Sequence, residues 1–168
     1  MAIAQTILPE FDHEMAGCRK TLERIPDAKF GFKPHPKSSS LGDLANHLAA
    51  VPGWVTSTMG ATELDFSAPE TLAKMPDKAH TREALLAVFD RGVASGRALL
   101  AGAPDSDFGV VWSGKSQGQT LFALPRIAVL RSFILNHAIH HRAQLGVYLR
   151  LLDVPVPALY GPSADEAK

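Results

Sequence analysis

Two histidines near the carboxyl end of the chain have the spacing of a helical metal-binding pair. His137 and His141 are four residues apart, so on a helix their rings leave one face roughly 6 Å apart along the axis and can converge on one ion. Ile134 and Leu145 share that face, which indicates that both imidazoles point toward the core. His140 lies about 100° around the helix from His141 and is the weaker candidate ligand.

A third ligand has to come from another segment, and His47 is the best candidate. It is flanked on a predicted helix by the apolar residues Leu44 and Val51, which place its ring on or near the buried face. Three neutral imidazoles would hold Zn²⁺, Ni²⁺ or Fe²⁺ and leave a coordination position for water or substrate. Whether His47 reaches the other two is left open by the sequence.

The competing interpretation is that these histidines are ordinary packed residues. A single buried histidine is more often hydrogen-bonded than bound to a metal. Two neutral imidazoles on one apolar stripe are harder to explain in this way, because burying them without partners costs roughly a few kcal/mol. Spacing alone therefore keeps both interpretations open.

Three further residues are candidates to assist a metal site, although no catalytic residue is assigned. Asp43 precedes His47 by one helical turn and Gln144 follows His141 by about one turn, so either could orient a ligand ring. Arg142 is adjacent to His141 and could bind an anionic group of a substrate. We expect the other arginines of this segment to be solvated: Arg126, Arg131 and Arg150.

Hydrophobic periodicity predicts four helices that would position these residues. The first follows an apolar stripe from Leu8 to Ile25. Ser40 and Asp43 have the spacing of a capping box that begins the second helix. Pro52 and Gly53 should bend or interrupt that helix.

The second half of the chain contains the longer connections. Residues 60–80 form a polar, proline-containing segment that is long for a helical hairpin and predicts a crossover. Thr81 caps a third helix that ends before Pro104, and residues 105–124 predict a short hairpin or ordered loop. Pro125 opens the last helix, which extends to about Asp153, and residues 154–168 form an extended tail. The pattern predicts an all-α fold, a four-helix bundle with a long crossover and this insertion.

Composition limits the classes of protein that the chain can represent. A length of 168 residues fits a single domain over 1–168, because two cores of half that size would each be marginal. Equal numbers of acidic and basic residues argue against binding to nucleic acid or to an anionic membrane. Cys18 is the only cysteine, which excludes an internal disulfide and an all-cysteine zinc site. The amino-terminal residues lack the features of an export signal, so a cytoplasmic location is expected.

Other motifs favour structural explanations. Residues 109–116 match the phosphate-loop pattern G-x-x-x-x-G-K-[ST], but no buried strand is predicted before them and no helix directly after them. Cys18 is in phase with Leu22 and is expected to pack in the core. Gly92 and Gly96 most simply allow two segments to approach closely, although they could also leave space for a substrate.

Two stretches resemble the DinB-like family of metalloenzymes, also called YfiT-like. One is the SLGDLANH stretch that ends at His47, and the other is the H-x-x-x-H-R-x-Q-L pattern that begins at His137. The resemblance implies an antiparallel four-helix bundle, often dimeric, and it places the metal ligands on His47, His137 and His141. It also implies a metal such as Zn²⁺ or Ni²⁺. Some relatives are transferases or isomerases that use a low-molecular-weight thiol such as bacillithiol or mycothiol.

The leading functional hypothesis is therefore a metal-dependent enzyme that transfers such a thiol to a small electrophile. A metal-assisted hydrolase is the first alternative, and a non-enzymatic, stress-related binding module with a structural metal is the second. A homodimer would explain a second apolar band on the last helix, which includes Phe133, Val147 and Leu151. A small-molecule substrate is expected as the partner, and nucleic acid and membranes are not.

Overall fold

The computed structural model describes residues 2–166, which are mainly helical and include one small sheet. The helices are α1 (Ile3–Leu22), α2 (Leu41–Ala50), α3 (Trp54–Gly60), α4 (Pro69–Leu72), α5 (Arg82–Gly102), α6 (Asp105–Phe108), α7 (Arg126–Val129) and α8 (Asn136–Leu151). The strands are β1 (Glu63–Asp65), β2 (Val111–Ser116) and β3 (Gln119–Pro125). Helices α1 and α2 each contact both α5 and α8, and their apolar side chains join one buried cluster. The predominance of helix agrees with the predicted fold class, while the antiparallel bundle geometry stays a prediction.

The apolar stripe of α1 faces this cluster. Phe11, Cys18 and Leu22 are almost completely buried, as their three-and-four spacing predicts. The helix ends at Leu22 rather than at the predicted Ile25, because the next turn changes to tighter bonds such as Ile25 N–H to the Leu22 carbonyl. Ile25 is nevertheless buried.

Ser40 caps α2 as predicted, although the Asp43 carboxylate contacts the Ser40 hydroxyl instead of completing the capping box at the Ser40 backbone N–H. The Ser40 hydroxyl accepts a hydrogen bond from the Asp43 backbone N–H at 3.0 Å and donates to the Asp43 carboxylate at 2.7 Å. Beyond α2, residues Val51–Gly53 form a single 3-10 turn, and α3 follows directly at Trp54. Pro52 and Gly53 therefore interrupt the helix without turning the chain away from it.

Close approach explains Gly92 and Gly96 of α5. A Cβ atom added to Gly92 would lie 2.9 Å from the backbone nitrogen of Gly53, and one added to Gly96 would lie 3.0 Å from the Pro52 carbonyl oxygen. The absence of side chains at these positions lets α5 pack against the 3-10 turn. The prediction of close packing is confirmed.

The sheet corrects the expectation of an all-α chain. Strand β1 comes from the predicted crossover and pairs in parallel with β2, which pairs antiparallel with β3. The hairpin of β2 and β3 was predicted, but β1 was not, because a three-residue strand carries no readable periodicity. The Asp65 carboxylate stabilises this corner, since it accepts hydrogen bonds from the backbone N–H groups of Ser67 and Gly118.

The phosphate-loop interpretation is excluded by the strand that contains it. Gly114 and Lys115 lie within β2 rather than in a loop that opens a helix. The Lys115 ammonium lies 2.6 Å from the Glu63 carboxylate on the neighbouring strand. A cross-strand ion pair therefore accounts for this lysine.

The last helical segment is not a uniform α-helix. Between α7 and α8, residues Leu130–Leu135 form a π-helical turn, whereas the sequence predicted a continuous helix from 126 to about 153. Such turns arise from packing and are often found at functional sites. Helix α8 ends at Leu151, and Asp153 then adopts a positive φ of 56°.

Arg126, which was expected in solvent, and the candidate residue Arg142 are both buried. Arg126 and Arg142 are 7% and 3% exposed. The Arg126 guanidinium donates to the Ala61 carbonyl at 2.8 Å. Arg150 of α8 pairs with Asp165 of the carboxyl-terminal tail at 2.7 Å, and this ion pair holds the tail against the helix. The predicted end of the tail in solvent, at 167–168, lies outside the described residues.

Among residues 2–166, none of the helices has the length and apolarity that crossing a membrane requires.

Candidate metal centre

Three histidines from two helices meet at one point. His47 lies in the last turn of α2, and His137 and His141 lie in the first two turns of α8. The Nε2 atom of His137 is 2.8 Å from Nε2 of His47 and 2.7 Å from Nε2 of His141. The three residues can each offer a ring nitrogen within 4.8 Å of the others, so the structure brings together the set that the sequence selected.

The donor set suits a divalent cation. A neutral imidazole carries only one N–H, so three Nε2 atoms that face one another cannot all be satisfied by mutual hydrogen bonds. Zinc–nitrogen bonds of about 2.0–2.1 Å in a tetrahedral site space the nitrogens by roughly 3.3 Å, so ligation requires these rings to separate by about half an ångström. All three side chains are partly exposed, which leaves room for an exogenous ligand.

Gln144 orients one of the three rings. Its Oε1 atom lies 2.7 Å from Nδ1 of His141. Because a carbonyl oxygen can only accept, this contact places the His141 proton on Nδ1 and leaves the lone pair of Nε2 directed toward the other two histidines. The predicted contact between Gln144 and His141 is therefore present.

Burial keeps two of the rings neutral. Burial, with smaller contributions from His141, His47 and His140, lowers the pKa of His137 to about 4. Burial also lowers the pKa of His47, with a smaller effect from His141. Metal binding requires deprotonated nitrogen, so this environment favours ligation over protonation at neutral pH.

The environment of the rings includes Trp54, which sequence reasoning missed. The indole ring centroid lies 5.4 Å from the ring of His47 and 5.4 Å from that of His137, in edge-to-face contact with each. Trp54 follows His47 by seven residues, which is two helical turns. A helix that continued in phase through Pro52 would have placed Trp54 on the same face as His47. From the sequence, Pro52 was expected to disrupt that phase.

The structure places the other two candidate residues away from the rings. The Asp43 carboxylate is held by Ser40 and by the Lys78 ammonium at 2.7 Å, and among the described residues it makes no hydrogen bond to His47. Arg142 lies about 100° around α8 from His141. Its guanidinium is 2.8 Å from the Glu14 carboxylate, so a structural ion pair replaces the proposed anion site.

A comparison with models of protein families identifies the family of this chain. The model of the DinB family matches residues 4–168. The chain belongs to the DinB family. The resemblance drawn from the segments around His47 and His137 is thereby confirmed.

Three individual proteins are similar to the chain over nearly its whole length. The uncharacterized protein YrdA of Bacillus subtilis (strain 168) is 24% identical over 163 residues, which are 95% of this chain and 89% of YrdA. A DinB-like protein from Bacillus cereus ATCC 10987 has a TM-score of 0.73 at 20% identity and covers 95% of this chain and 98% of its own. The DinB-like protein YjoA from Bacillus subtilis has a TM-score of 0.71 at 16% identity, with coverage of 94% and 99%. At these identities the two solved structures show a shared fold.

Proposed function

We propose that this DinB-family protein is a metal-dependent enzyme that transfers a low-molecular-weight thiol to a small electrophile. His47, His137 and His141 would hold one divalent ion, with Zn²⁺ or Ni²⁺ first and Fe²⁺ next, because neutral imidazole nitrogen suits all three. The observation that carries the proposal is the convergence of the three Nε2 atoms, at 2.7 and 2.8 Å from that of His137.

A bound divalent ion would act as a Lewis acid and lower the pKa of a coordinated thiol or water. In the transfer, the thiol gives its proton to solvent and its sulfur forms a bond to the electrophilic carbon. The leaving group departs with the electron pair of the broken bond. Gln144 keeps the His141 ring in the ligating tautomer, and the Trp54 ring shields one side of the site from water.

The thiol in this scheme has to come from outside the chain. Cys18 is the only cysteine, and it is completely buried in the core. Burial raises the pKa of its thiol to about 12, an effect that the nearby Arg142 only partly opposes. A thiol with such a pKa supplies almost no thiolate near neutral pH. The predicted packing role of Cys18 agrees with its burial.

Two alternatives use the same residues. A hydrolase would place water where the thiol binds, and a binding module would keep the metal without turnover. We also propose a homodimer, supported by Val147 and Leu151 of α8, which are 60% and 57% exposed. An unpaired apolar face of this kind is typical of an interface.

A reaction screen tests the proposed transfer. The untagged protein, loaded with Zn²⁺ or Ni²⁺, is incubated with 1-chloro-2,4-dinitrobenzene and either bacillithiol, mycothiol or no thiol. We expect the thioether to form only with the metal present and with one of the thiols, and His137→Ala to abolish it. His140→Ala, which changes the neighbouring exposed histidine, should leave it unchanged. A metal-loaded protein that hydrolyses p-nitrophenyl acetate but forms no thioether would instead support the hydrolase.

A further inference from the structure

A partly enclosed, mainly apolar cavity of about 160 Å³ lies beside the three histidines. It is enclosed by α3, the sheet, α4 and the π-helical turn that precedes α8. The side chains that form most of its wall are Trp54, Leu64, Trp112, Phe122, Phe133 and Ile134. Both tryptophans of the protein are among them.

Two polar groups along this wall, the Trp112 indole N–H and the Ser57 hydroxyl, already have hydrogen-bond partners. The Trp112 indole N–H donates to the Ser57 carbonyl at 3.2 Å. The Ser57 hydroxyl donates to the Trp54 carbonyl at 3.0 Å. These groups therefore have no strong need for a polar ligand. A cavity of about 150 Å³ lined by apolar side chains excludes water and holds one benzene molecule, so the size and lining here suit a single aromatic ring.

The cavity and the three histidines share a wall. Trp54 lines the cavity and makes edge contacts with the rings of His47 and His137. Phe133 and Ile134, which also line it, precede His137 by four and three residues. Only the thickness of one side chain therefore separates a group in the cavity from the ligating nitrogens.

Solvent reaches this region through an adjoining cleft. An open cleft of about 670 Å³ runs between α3, α5 and the crossover segment. It shares Trp54, Leu64 and Met75 with the cavity wall. Met75 is 58% exposed and Leu64 is half-buried, so the boundary between cleft and cavity consists of side chains that can move.

We infer that this cavity binds an uncharged, benzene-sized group of the electrophilic substrate, so that the reacting carbon next to the ring faces the metal-held thiol. The inference rests on the proposed function for the identity of the ligand as an electrophile. The ring-binding property itself belongs to the folded chain and does not need the metal. Substrates that carry an aromatic ring on the reacting carbon are therefore preferred over charged or strongly polar ones.

A binding experiment on the metal-free protein tests this assignment. Benzyl alcohol, which is unreactive, is titrated while the fluorescence of the two tryptophans is recorded, since both line the cavity. We expect saturable binding. Val129→Phe adds a ring to the cavity wall and should weaken the binding of benzyl alcohol by about tenfold or more. This is the effect expected when the aromatic ring of the ligand can no longer be buried. Leu121→Phe, at an exposed position of β3 outside the cavity wall, should leave binding unchanged.

Leu64→Phe provides a second filling variant, because Leu64 is only half-buried and its replacement is less disruptive than a change at the buried Val129. Thermal unfolding checks that each variant folds. The inference is overturned if benzyl alcohol does not saturate, or if a folded filling variant binds it as well as Leu121→Phe does. The ability to take up metal is measured separately. A protein that binds the ring but takes up no divalent ion would refute the proposed function alone, and one that takes up the ion but does not bind the ring would refute this inference alone.

Discussion

The Oε1 atom of Gln144 lies 2.7 Å from Nδ1 of His141, one helical turn away on α8. This contact fixes the tautomer of a ring whose other nitrogen lies 2.7 Å from Nε2 of His137. Outer contacts of this kind determine how well a ligand ring is held before the metal arrives.

Removing this contact should weaken metal binding without unfolding the protein. Gln144→Met keeps the length of the side chain but removes the acceptor, so we expect Zn²⁺ affinity to decrease by about tenfold or more. The measurement is competition with a chromophoric chelator at constant pH. His140→Ala serves as the control, because its change leaves Gln144 and the three ligands in place. Equal affinities in Gln144→Met and the wild type would show that the contact is incidental.

The path from α2 into α3 depends on Gly92. Its replacement by alanine places a Cβ atom 2.9 Å from the Gly53 nitrogen, which forces backbone to move. We expect Gly92→Ala to lower the free energy of unfolding by about 1–3 kcal/mol, as overpacked positions do, measured by urea denaturation. Gly102→Ala, at the end of the same helix with nothing within 4 Å of the new atom, should be neutral or slightly stabilising. Equal effects of both changes would contradict close packing.

A buried ion pair, rather than an anion site, explains Arg142. Glu14 and Arg142 are 6% and 3% exposed, and the Tyr160 hydroxyl donates to the Glu14 carboxylate at 2.8 Å. Glu14→Leu leaves the guanidinium buried without its partner, so we expect a loss of about 3 kcal/mol or more in the free energy of unfolding. The double variant with Arg142→Leu should recover much of that loss.

Metal content provides the contrast for this pair. Because Glu14 and Arg142 lie on the α1 side of α8, each folded variant should retain the metal content of the wild type. A folded Arg142→Leu variant that binds metal normally but has a strongly raised KM for an anionic substrate would revive the anion-site interpretation.

The metal-free protein should lose stability in acid because of His137. Its pKa is lowered from 6.5 to about 4, so between these values the unfolded chain binds a proton that the folded chain does not. The contribution of this group is thus fully present above about pH 6.5 and decreases as the pH falls toward 4. Urea denaturation of chelator-treated protein across this range should show a weaker pH dependence for His137→Gln than for the wild type. His80→Gln, a change at an exposed histidine, should show the same pH dependence of stability as the wild type.

Local patterns were sufficient to predict much of the site. His137 and His141 share a face of one helix, and the Ser40–Asp43 contact fixes the start of the helix that carries His47. These features depend on residues within a turn or two of each other, and helical geometry makes them readable. Helical phase could not predict that α2 and α8 meet at these histidines. That expectation came from the family resemblance.

The features that were missed depend on distant contacts. Strand β1 exists because Glu63–Asp65 pairs with β2 much later in the chain. The π-helical turn at Leu130–Leu135 contacts another element, β3, through the stacked rings of Phe133 and Phe122. Trp54 was overlooked because Pro52 suggested a loss of helical phase. Arg142 was predicted near the metal site because it follows His141 in the sequence. One residue along a helix, however, turns the side chain by about 100°.

The proposed metal site requires one ion to be shared by nitrogens from α2 and α8. Elemental analysis of untagged protein, purified without chelator, measures this most directly when wild type, His47→Ala, His137→Ala and His140→Ala are compared at equal folded concentration. We expect about one divalent ion per chain in the wild type and in His140→Ala, and little in the other two, because loss of one of three protein ligands opens the site. Full metal content in folded His47→Ala and His137→Ala would contradict the shared site.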